Sequence, residues 1–150
     1  WSVPHAGETM GPESVWGAIN SLKAKRIGHG VRAIEDATLI QALIDWGIVL
    51  EVNPTSNICL HVYDSFDEHP FRKLDEAGVI VTVNSDDPTL FNTTLVQEYT
   101  VLVTHFGYDK DKLIRVALNA FEHAAVDKNT KSKLLIDFKS ELLKLTRRTK

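Results

Sequence analysis

The sequence predicts an α/β fold with a parallel β-sheet, and two observations indicate it. Short, nearly continuous apolar segments alternate with longer segments whose apolar residues recur at helical spacing. This alternation is typical of parallel strands covered by helices, in closed barrels as well as in open, doubly wound sheets. Polar side chains follow directly after the apolar segments. Polar groups at the carboxyl ends of successive strands favour a (β/α)8 barrel, because its chemistry lies on that rim.

The first half of the chain has the pattern strand, helix, strand, helix, strand. Pro12 suits a first helical turn because its missing N–H leaves no bond unmade, and Glu13 suits the positive end of the helix dipole. The second helix begins at Glu35 and Asp36, and Gly47 ends it. The three strands are predicted at residues 3–5, 26–30 and 48–52.

The second half of the chain contains a fourth strand and further helices. An irregular loop is predicted over residues 55–67, followed by a short helix that Gly78 closes and a strand at residues 79–83. Three amphipathic helices fill the remainder. Their apolar positions are Leu95, Tyr99, Leu102 and Phe106 in the first, Leu113, Ala117, Phe121 and Ala124 in the second, and Leu134, Phe138, Leu142 and Leu145 in the third.

Composition excludes several classes of function. The 150 residues are 43% hydrophobic, which is enough to bury the core of one domain. A net charge of −3 argues against binding long nucleic acid, and no apolar run approaches the roughly 18 residues of a membrane helix, so we expect no membrane partner. Cys59 is the single cysteine, which indicates a reducing, cytoplasmic location.

Two motifs place histidine at a predicted strand end. His5 and Glu8 follow the first strand, and the intervening Gly7 argues against a helix that would carry both. His29 lies between two glycines at the end of the second strand, where the backbone can closely approach another group. The alternative interpretations are a polar surface loop for the first motif and a tight turn with an incidental histidine for the second.

A third motif, Ser85-Asp86-Asp87-Pro88, follows the fourth strand. Two adjacent carboxylates after an apolar strand are costly unless something neutralises them. Because successive side chains of extended chain point in opposite directions, Asp86 could bind a cation while Asp87 contacts a substrate. The alternative is a helix N-cap. Taken together, the strand ends supply imidazole and carboxylate groups, which are good ligands for a divalent metal.

These motifs resemble one known family. His5-Ala6-Gly7-Glu8, Arg26-Ile27-Gly28-His29-Gly30, Pro54-Thr55-Ser56-Asn57 and Ser85-Asp86-Asp87-Pro88 are similar, in order and spacing, to the motifs of the adenosine/adenine deaminases. The resemblance implies the C-terminal half of a (β/α)8 TIM barrel, strands 5–8 with extra C-terminal helices, and one zinc ion.

The resemblance also implies a role for each residue. His5 and Asp86 are expected to be metal ligands, and Asp87 is expected to bind the substrate at purine N7. Glu8 is expected to protonate purine N1, and His29 to orient the zinc-bound hydroxide and shuttle its proton. The implied reaction is hydrolytic deamination of adenosine or a related adenine nucleoside to inosine and ammonia. Adenine and modified adenosines remain alternative substrates.

The sequence departs from the family in two respects. It has no His-x-His pair, which in the family completes the zinc site from the first strand, and it has four predicted strands where a full barrel has eight. Residues 1–150 are therefore expected to form a single incomplete domain whose partner is a missing N-terminal half-barrel. Alone, such a chain is expected to bind zinc poorly, to be inactive and to self-associate through its open sheet edges.

Three other functions are alternatives to this interpretation. A half-barrel could serve as a non-catalytic interaction module, and a longer sequence with an upstream His-x-His strand would argue against that. Cytidine-type deaminases carry His-x-Glu with Pro-Cys-x-x-Cys, which the chain lacks. Barrel hydrolases of amides or esters are disfavoured by the second carboxylate of the Asp86-Asp87 pair, which is available for a purine.

Overall fold

The computed structural model describes residues 2–148, so residues 1, 149 and 150 of the predicted domain lie outside the described part of the chain. Four strands, all parallel, form one sheet in the order β1-β2-β3-β4. They are β1 (His5–Ala6), β2 (Arg26–His29), β3 (Val49–Val52) and β4 (Ile80–Val83). The predicted α/β class with a parallel sheet is confirmed, although each strand is shorter than the sequence pattern indicated.

Seven α-helices connect and cover the strands within residues 2–148. They are α1 (Pro12–Leu22), α2 (Ala37–Asp45), α3 (Pro54–Cys59), α4 (Phe71–Glu76), α5 (Leu95–Thr104), α6 (Lys110–Glu122) and α7 (Lys128–Arg148), with a 3-10 helix at Val31–Glu35 ahead of α2. Asp36 lies outside α2 and caps it, because its carboxylate accepts the N–H groups of Thr38 and Leu39. Among these helices none is both long and apolar enough to cross a bilayer.

The predicted loop over residues 55–67 is wrong in its first part, because α3 begins at Pro54. Proline suits the first turn, but the bond that holds this end of the helix comes from far along the chain. The fully buried carboxylate of Glu98, on α5, accepts the N–H of Thr55 at 3.1 Å and the hydroxyl of Thr93 at 2.5 Å. The short helix is thus fixed by tertiary contact, which local sequence does not reveal.

One apolar core lies between the sheet and its helices. Ile27, Leu50 and Val81 of the strands are fully buried, as are Phe71 and Leu74 of α4. Burying the apolar strand residues fixes the register between neighbouring strands. Because the strands are parallel, their carboxyl ends lie side by side at one edge of the sheet.

A buried ionic network joins α4 to α6. The carboxylate of Asp75 is almost fully buried and accepts two hydrogen bonds from Arg115, each at 2.6 Å, and one from the hydroxyl of Tyr108 at 2.5 Å. The guanidinium remains half exposed. Every oxygen of the carboxylate therefore has a partner, which offsets the cost of removing the charge from water.

Replacing Asp75 by alanine is expected to lower the free energy of unfolding by about 2 kcal/mol, less than for a fully buried pair because Arg115 is 49% exposed. Glu76→Ala is the matched control. Glu76 is the next residue along the chain, and its carboxylate forms only a solvent-exposed ion pair with Arg72. Urea denaturation of the full-length protein measures both variants. Equal midpoints for the two would show that the network does not stabilise the fold.

Candidate functional site

Four side chains from three strand ends converge at the carboxyl edge of the sheet. The ligand atoms of His5, Glu8 and His29 all lie within 4.8 Å of one another. Nε2 of His29 is 3.6 Å from Oε1 of Glu8 and 3.7 Å from Oδ2 of Asp86. The structure therefore brings together four of the five site residues that the sequence indicated.

The register of β1 and β2 positions the two histidine rings. His5 lies opposite Gly28, and the rings of His5 and His29 meet edge to face with centroids 4.8 Å apart. A Cβ at position 28 would lie 2.6 Å from Cδ2 of His5, so only glycine leaves room for that ring. Gly30 has a φ of +68°, and its absent side chain leaves space for Leu50.

Two of the converging residues have strained backbone conformations. His29 and Asp86 both lie in the left-handed region, with φ of +62° and +55°. Non-glycine residues avoid this region, and such strain is frequent at functional sites. The hydroxyl of Ser56, from α3, donates to Oδ2 of Asp86 at 2.7 Å and so orients the carboxylate beside the His29 ring.

The hydrogen bond of Asp87 is made to the turn after β4 and not to the converging groups. Its Oδ1 accepts the N–H of Leu90 at 2.9 Å, so the side chain caps the turn that follows the strand. Capping was the alternative interpretation of the Asp86-Asp87 pair. The residue is exposed, and its second carboxylate oxygen remains available to a ligand.

His29 is fully buried and contacts amide groups on the side away from the carboxylates. Its Nδ1 lies 3.1 Å from Nδ2 of Asn57 and 3.3 Å from Nδ2 of Asn53. Oδ1 of Asn57 in turn lies 3.0 Å from Nε2 of His69. Burial lowers the pKa of His29 although the carboxylates of Glu8 and Asp86 act in the opposite direction.

Two cavities border the convergent groups. One of about 180 Å³ is lined by His5, Glu8 and Ser14 among others, and one of about 260 Å³ lies between Glu8, Arg32 and His61. Glu8 lines both, and its side chain is 17% exposed. A small molecule in either cavity would therefore have direct access to this carboxylate.

The donor set fits a divalent metal such as Zn²⁺. Zinc takes imidazole nitrogen and carboxylate oxygen, and both kinds of atom meet here. The ligand atoms that lie close together are those of His5, Glu8 and His29, whereas the sequence indicated His5 and Asp86. Asp86 approaches this group at Nε2 of His29, 3.7 Å from its Oδ2. Assignment of His29 as a ligand or as a neighbour of the metal depends on which ring nitrogen carries its proton.

Sequence reasoning did not assign three residues that support the site. Ser56 and Asn57 belong to the Pro54-Thr55-Ser56-Asn57 motif, whose position after β3 was the available signal. The sequence indicated no role for His69. It lies 12 residues from Asn57 and 40 from His29 along the chain, and no spacing pattern connects them.

The family model described as Adenosine deaminase matches residues 1–140. The chain is 50% identical to the adenine deaminase of Agrobacterium fabrum over 131 residues. The aligned segment covers 87% of this chain and 40% of that protein. The chain is 47% identical over 135 residues to the adenine deaminase of Chelativorans sp. strain BNC1, covering 90% of this chain and 42% of that protein. The chain thus spans about 40% of the length of the curated relatives it matches.

Solved structures with a similar fold include deaminases and an amidohydrolase. The adenine deaminase from Arthrobacter aurescens superimposes with a TM-score of 0.87 at 31% identity, over 93% of this chain and 42% of that one. An amidohydrolase from Burkhoderia ambifaria with bound Zn gives a TM-score of 0.85 at 29% identity, over 96% and 41%. The N6-methyl-AMP deaminase of Arabidopsis thaliana gives 0.80 at 28% identity, over 91% and 40%.

Gly28→Ala is expected to weaken zinc binding by about 10-fold or more, because the new Cβ displaces the His5 ring from its place among the donors. Competition with a chelator measures the affinity in the full-length protein. Gly17→Ala is the control, since a Cβ there meets nothing within 4 Å. Unchanged zinc affinity in Gly28→Ala would show that His5 is not a ligand in this position.

Proposed function

We propose a catalytic function from one premise: the chain belongs to the adenosine deaminase family. We infer that it supplies part of the active site of an enzyme that deaminates adenine by hydrolysis, releasing ammonia. The curated relatives that cover most of this chain are named adenine deaminase, which favours the free base over the nucleoside adenosine. The relative named N6-methyl-AMP deaminase has lower identity, so a modified nucleotide is a less favoured substrate.

We assign the four strands to strands 5–8 of a (β/α)8 barrel and residues 1–150 to one incomplete domain. Within residues 2–148, β1 and β4 each pair with one neighbour only, so both edges of the sheet are open to further strands. The 40% coverage of the relatives leaves ample length for a second half-barrel. Inactivity and self-association of the isolated chain, and a cytoplasmic location, remain predictions.

The observation that carries the proposal is the meeting of two imidazoles and two carboxylates at one sheet edge. His5 and Asp86 would hold a single zinc ion, together with ligands from the proposed second half-barrel. When bound, zinc lowers the pKa of water to about 7 and so supplies a nucleophile at neutral pH. The buried Ser56 hydroxyl donates to Oδ2 of Asp86, the oxygen that lies 3.7 Å from Nε2 of His29, and so holds the carboxylate at the site.

Glu8 is assigned as the acid of the reaction. Attack at C6 of the purine places charge on N1, and a carboxylic acid held there can neutralise it by donating a proton. Its position between the two cavities supports contact with a small ring. His29, 3.6 Å away, would orient the attacking oxygen.

Asp87 is assigned to N7 of the purine through its second oxygen. An ionised carboxylate and N7 are both acceptors, so one proton must lie between them for a hydrogen bond to form. The bond from Leu90 holds the other oxygen and keeps the carboxylate fixed at the end of β4. In this assignment the turn cap and the substrate contact use different oxygens of one residue.

In the full-length protein, Glu8→Gln should lose at least about 100-fold in kcat, because glutamine keeps the shape of the side chain but cannot donate an acid proton. Zinc content and adenine binding should change little. Steady-state kinetics and metal analysis measure these quantities, with the exposed Glu141→Gln as the control. Near-normal turnover of Glu8→Gln would exclude Glu8 as the N1 acid.

Asp86→Ala and Asp87→Ala should fail for different reasons. Loss of Asp86 should lower zinc affinity, whereas Asp87→Ala should keep its zinc and raise KM for adenine more than for 7-deazaadenine, which lacks N7. Asp87→Ser is the matched control, since serine also caps a turn but has no second polar side-chain atom for N7. It should keep the stability of the parent and repeat the kinetic defect of Asp87→Ala.

The cap interpretation of Asp87 makes a different prediction for the same variants. It expects Asp87→Ala to lose about 1 kcal/mol of stability with normal kinetics, and Asp87→Ser to resemble the parent throughout. Thermal unfolding and kinetics of both variants separate the two. If Asp86→Ala also retained zinc and activity, the assignment of this carboxylate pair would be wrong.

A further inference from the structure

A buried chain of hydrogen bonds leads from the backbone of α4 to the His29 ring. The N–H of Phe71 donates to Nδ1 of His69 at 3.1 Å. Nε2 of His69 lies 3.0 Å from Oδ1 of Asn57, and Nδ2 of Asn57 lies 3.1 Å from Nδ1 of His29. All four residues are at most 3% exposed, so this series of hydrogen bonds is shielded from water.

The Phe71 N–H decides which atom donates and which accepts in each of these hydrogen bonds. A backbone N–H can only donate, so Nδ1 of His69 must be an acceptor. Burial lowers the pKa of His69 to about 3, which keeps the ring neutral. Its single proton must then lie on Nε2, which donates to Asn57. The amide of Asn57 must accept this bond through oxygen, and it therefore turns its NH₂ group towards His29.

The Asn53 amide also presents its NH₂ group to the His29 ring. Its Nδ2 donates to the carbonyl oxygen of Glu51 at 3.2 Å, so its nitrogen, not its oxygen, faces this region. The same nitrogen lies 3.3 Å from Nδ1 of His29 and 3.5 Å from Nε2, so Nδ1 is its nearer acceptor. Nδ1 of His29 is thus in contact with two amide donors, and a neutral ring that accepts at Nδ1 carries its proton on Nε2.

We propose that Asn57 and His69 are positioning residues that hold His29 as the Nε2–H tautomer, which serves as a hydrogen-bond donor and is kept out of the ligand set of the metal. The proposal rests on the proposed function and deepens it. A protonated Nε2 has no lone pair for a metal, whatever its distance from His5 and Glu8. It points its N–H towards the carboxylates of Glu8 and Asp86, where the attacking oxygen would accept it.

The opposite arrangement conflicts with the buried amides. A histidine that binds metal through Nε2 donates its Nδ1–H to an acceptor such as a carboxylate or carbonyl oxygen. Here that N–H would face the NH₂ groups of Asn53 and Asn57, donor against donor, in a site without water access. Reversing the Asn57 amide would turn its NH₂ group to the Nε2–H of His69, which again places donor against donor.

The test is the protonation state of the His29 nitrogens, read by NMR of the full-length protein with ¹⁵N-labelled histidine, before and after zinc is added. The parent is expected to show a protonated Nε2 and an unprotonated Nδ1 in both states. Asn57→Asp replaces the donor by an acceptor of the same size and should move the proton to Nδ1, with a 10–100-fold loss in kcat and a smaller change in KM, as is typical of groups that orient a site.

Asn119→Asp is the matched control, because this half-buried amide donates to the carbonyl oxygen of Val81 away from the site. It should leave the His29 tautomer as in the parent. If the proton of His29 lay on Nδ1 in the parent, or stayed on Nε2 in Asn57→Asp, the proposal would be overturned.

A second pair of variants covers a failure of Asn57→Asp to fold. His69→Gln keeps an N–H near the position of Nε2 and should retain the tautomer of the parent, whereas His69→Phe keeps the aromatic packing against Phe106 but not the donor and should lose it. Equal spectra for the two would also overturn the proposal. A parent with the expected tautomer but no adenine turnover would refute the proposed function alone, and turnover with the wrong tautomer would refute this inference alone.

Discussion

The parallel register of β1 and β2 is the constraint on which the site depends. It places His5 opposite Gly28, so that one imidazole lies over a residue without a side chain and meets the His29 ring. Parallel strands all end at the same edge of a sheet, and residues that follow different strands are therefore neighbours in space. Glu8 and Asp86 both approach Nε2 of His29 for this reason, although they are far apart in sequence.

Helix α3 lies next to this edge and joins the site to a more distant element of the fold. A helix of six residues is too short to be stable alone, and its bonds to other elements hold it in place. Glu98 fixes its N-terminus, Ser56 donates to Asp86, and Asn57 contacts His29. The orientation of two polar groups at the site therefore depends on a buried carboxylate of α5 that lies outside it.

The sequence predicted the elements whose signals are local. Pro12 opens α1, Gly47 follows α2, and the apolar run before Asn84 is β4. The convergence of His5 with its neighbours was likewise predicted, because polar residues after parallel strands must share an edge. The beginning of α3 and the chain through His69 were not, since the groups that stabilise them are brought close only by the complete fold.

Asp86 and Asp87 have different hydrogen-bond partners, but not for the reason that the sequence indicated. Extended chain, in which adjacent side chains point in opposite directions, was expected at this pair. Instead, Asp86 is in the left-handed conformation, at a cost of about 1 kcal/mol, and the chain turns at this residue. The turn directs Asp87 to the N–H of Leu90, while Ser56 holds Asp86 beside His29. The strain is therefore what allows two neighbouring carboxylates to have different partners, and the hydrogen bonds on both sides of it are what maintain it.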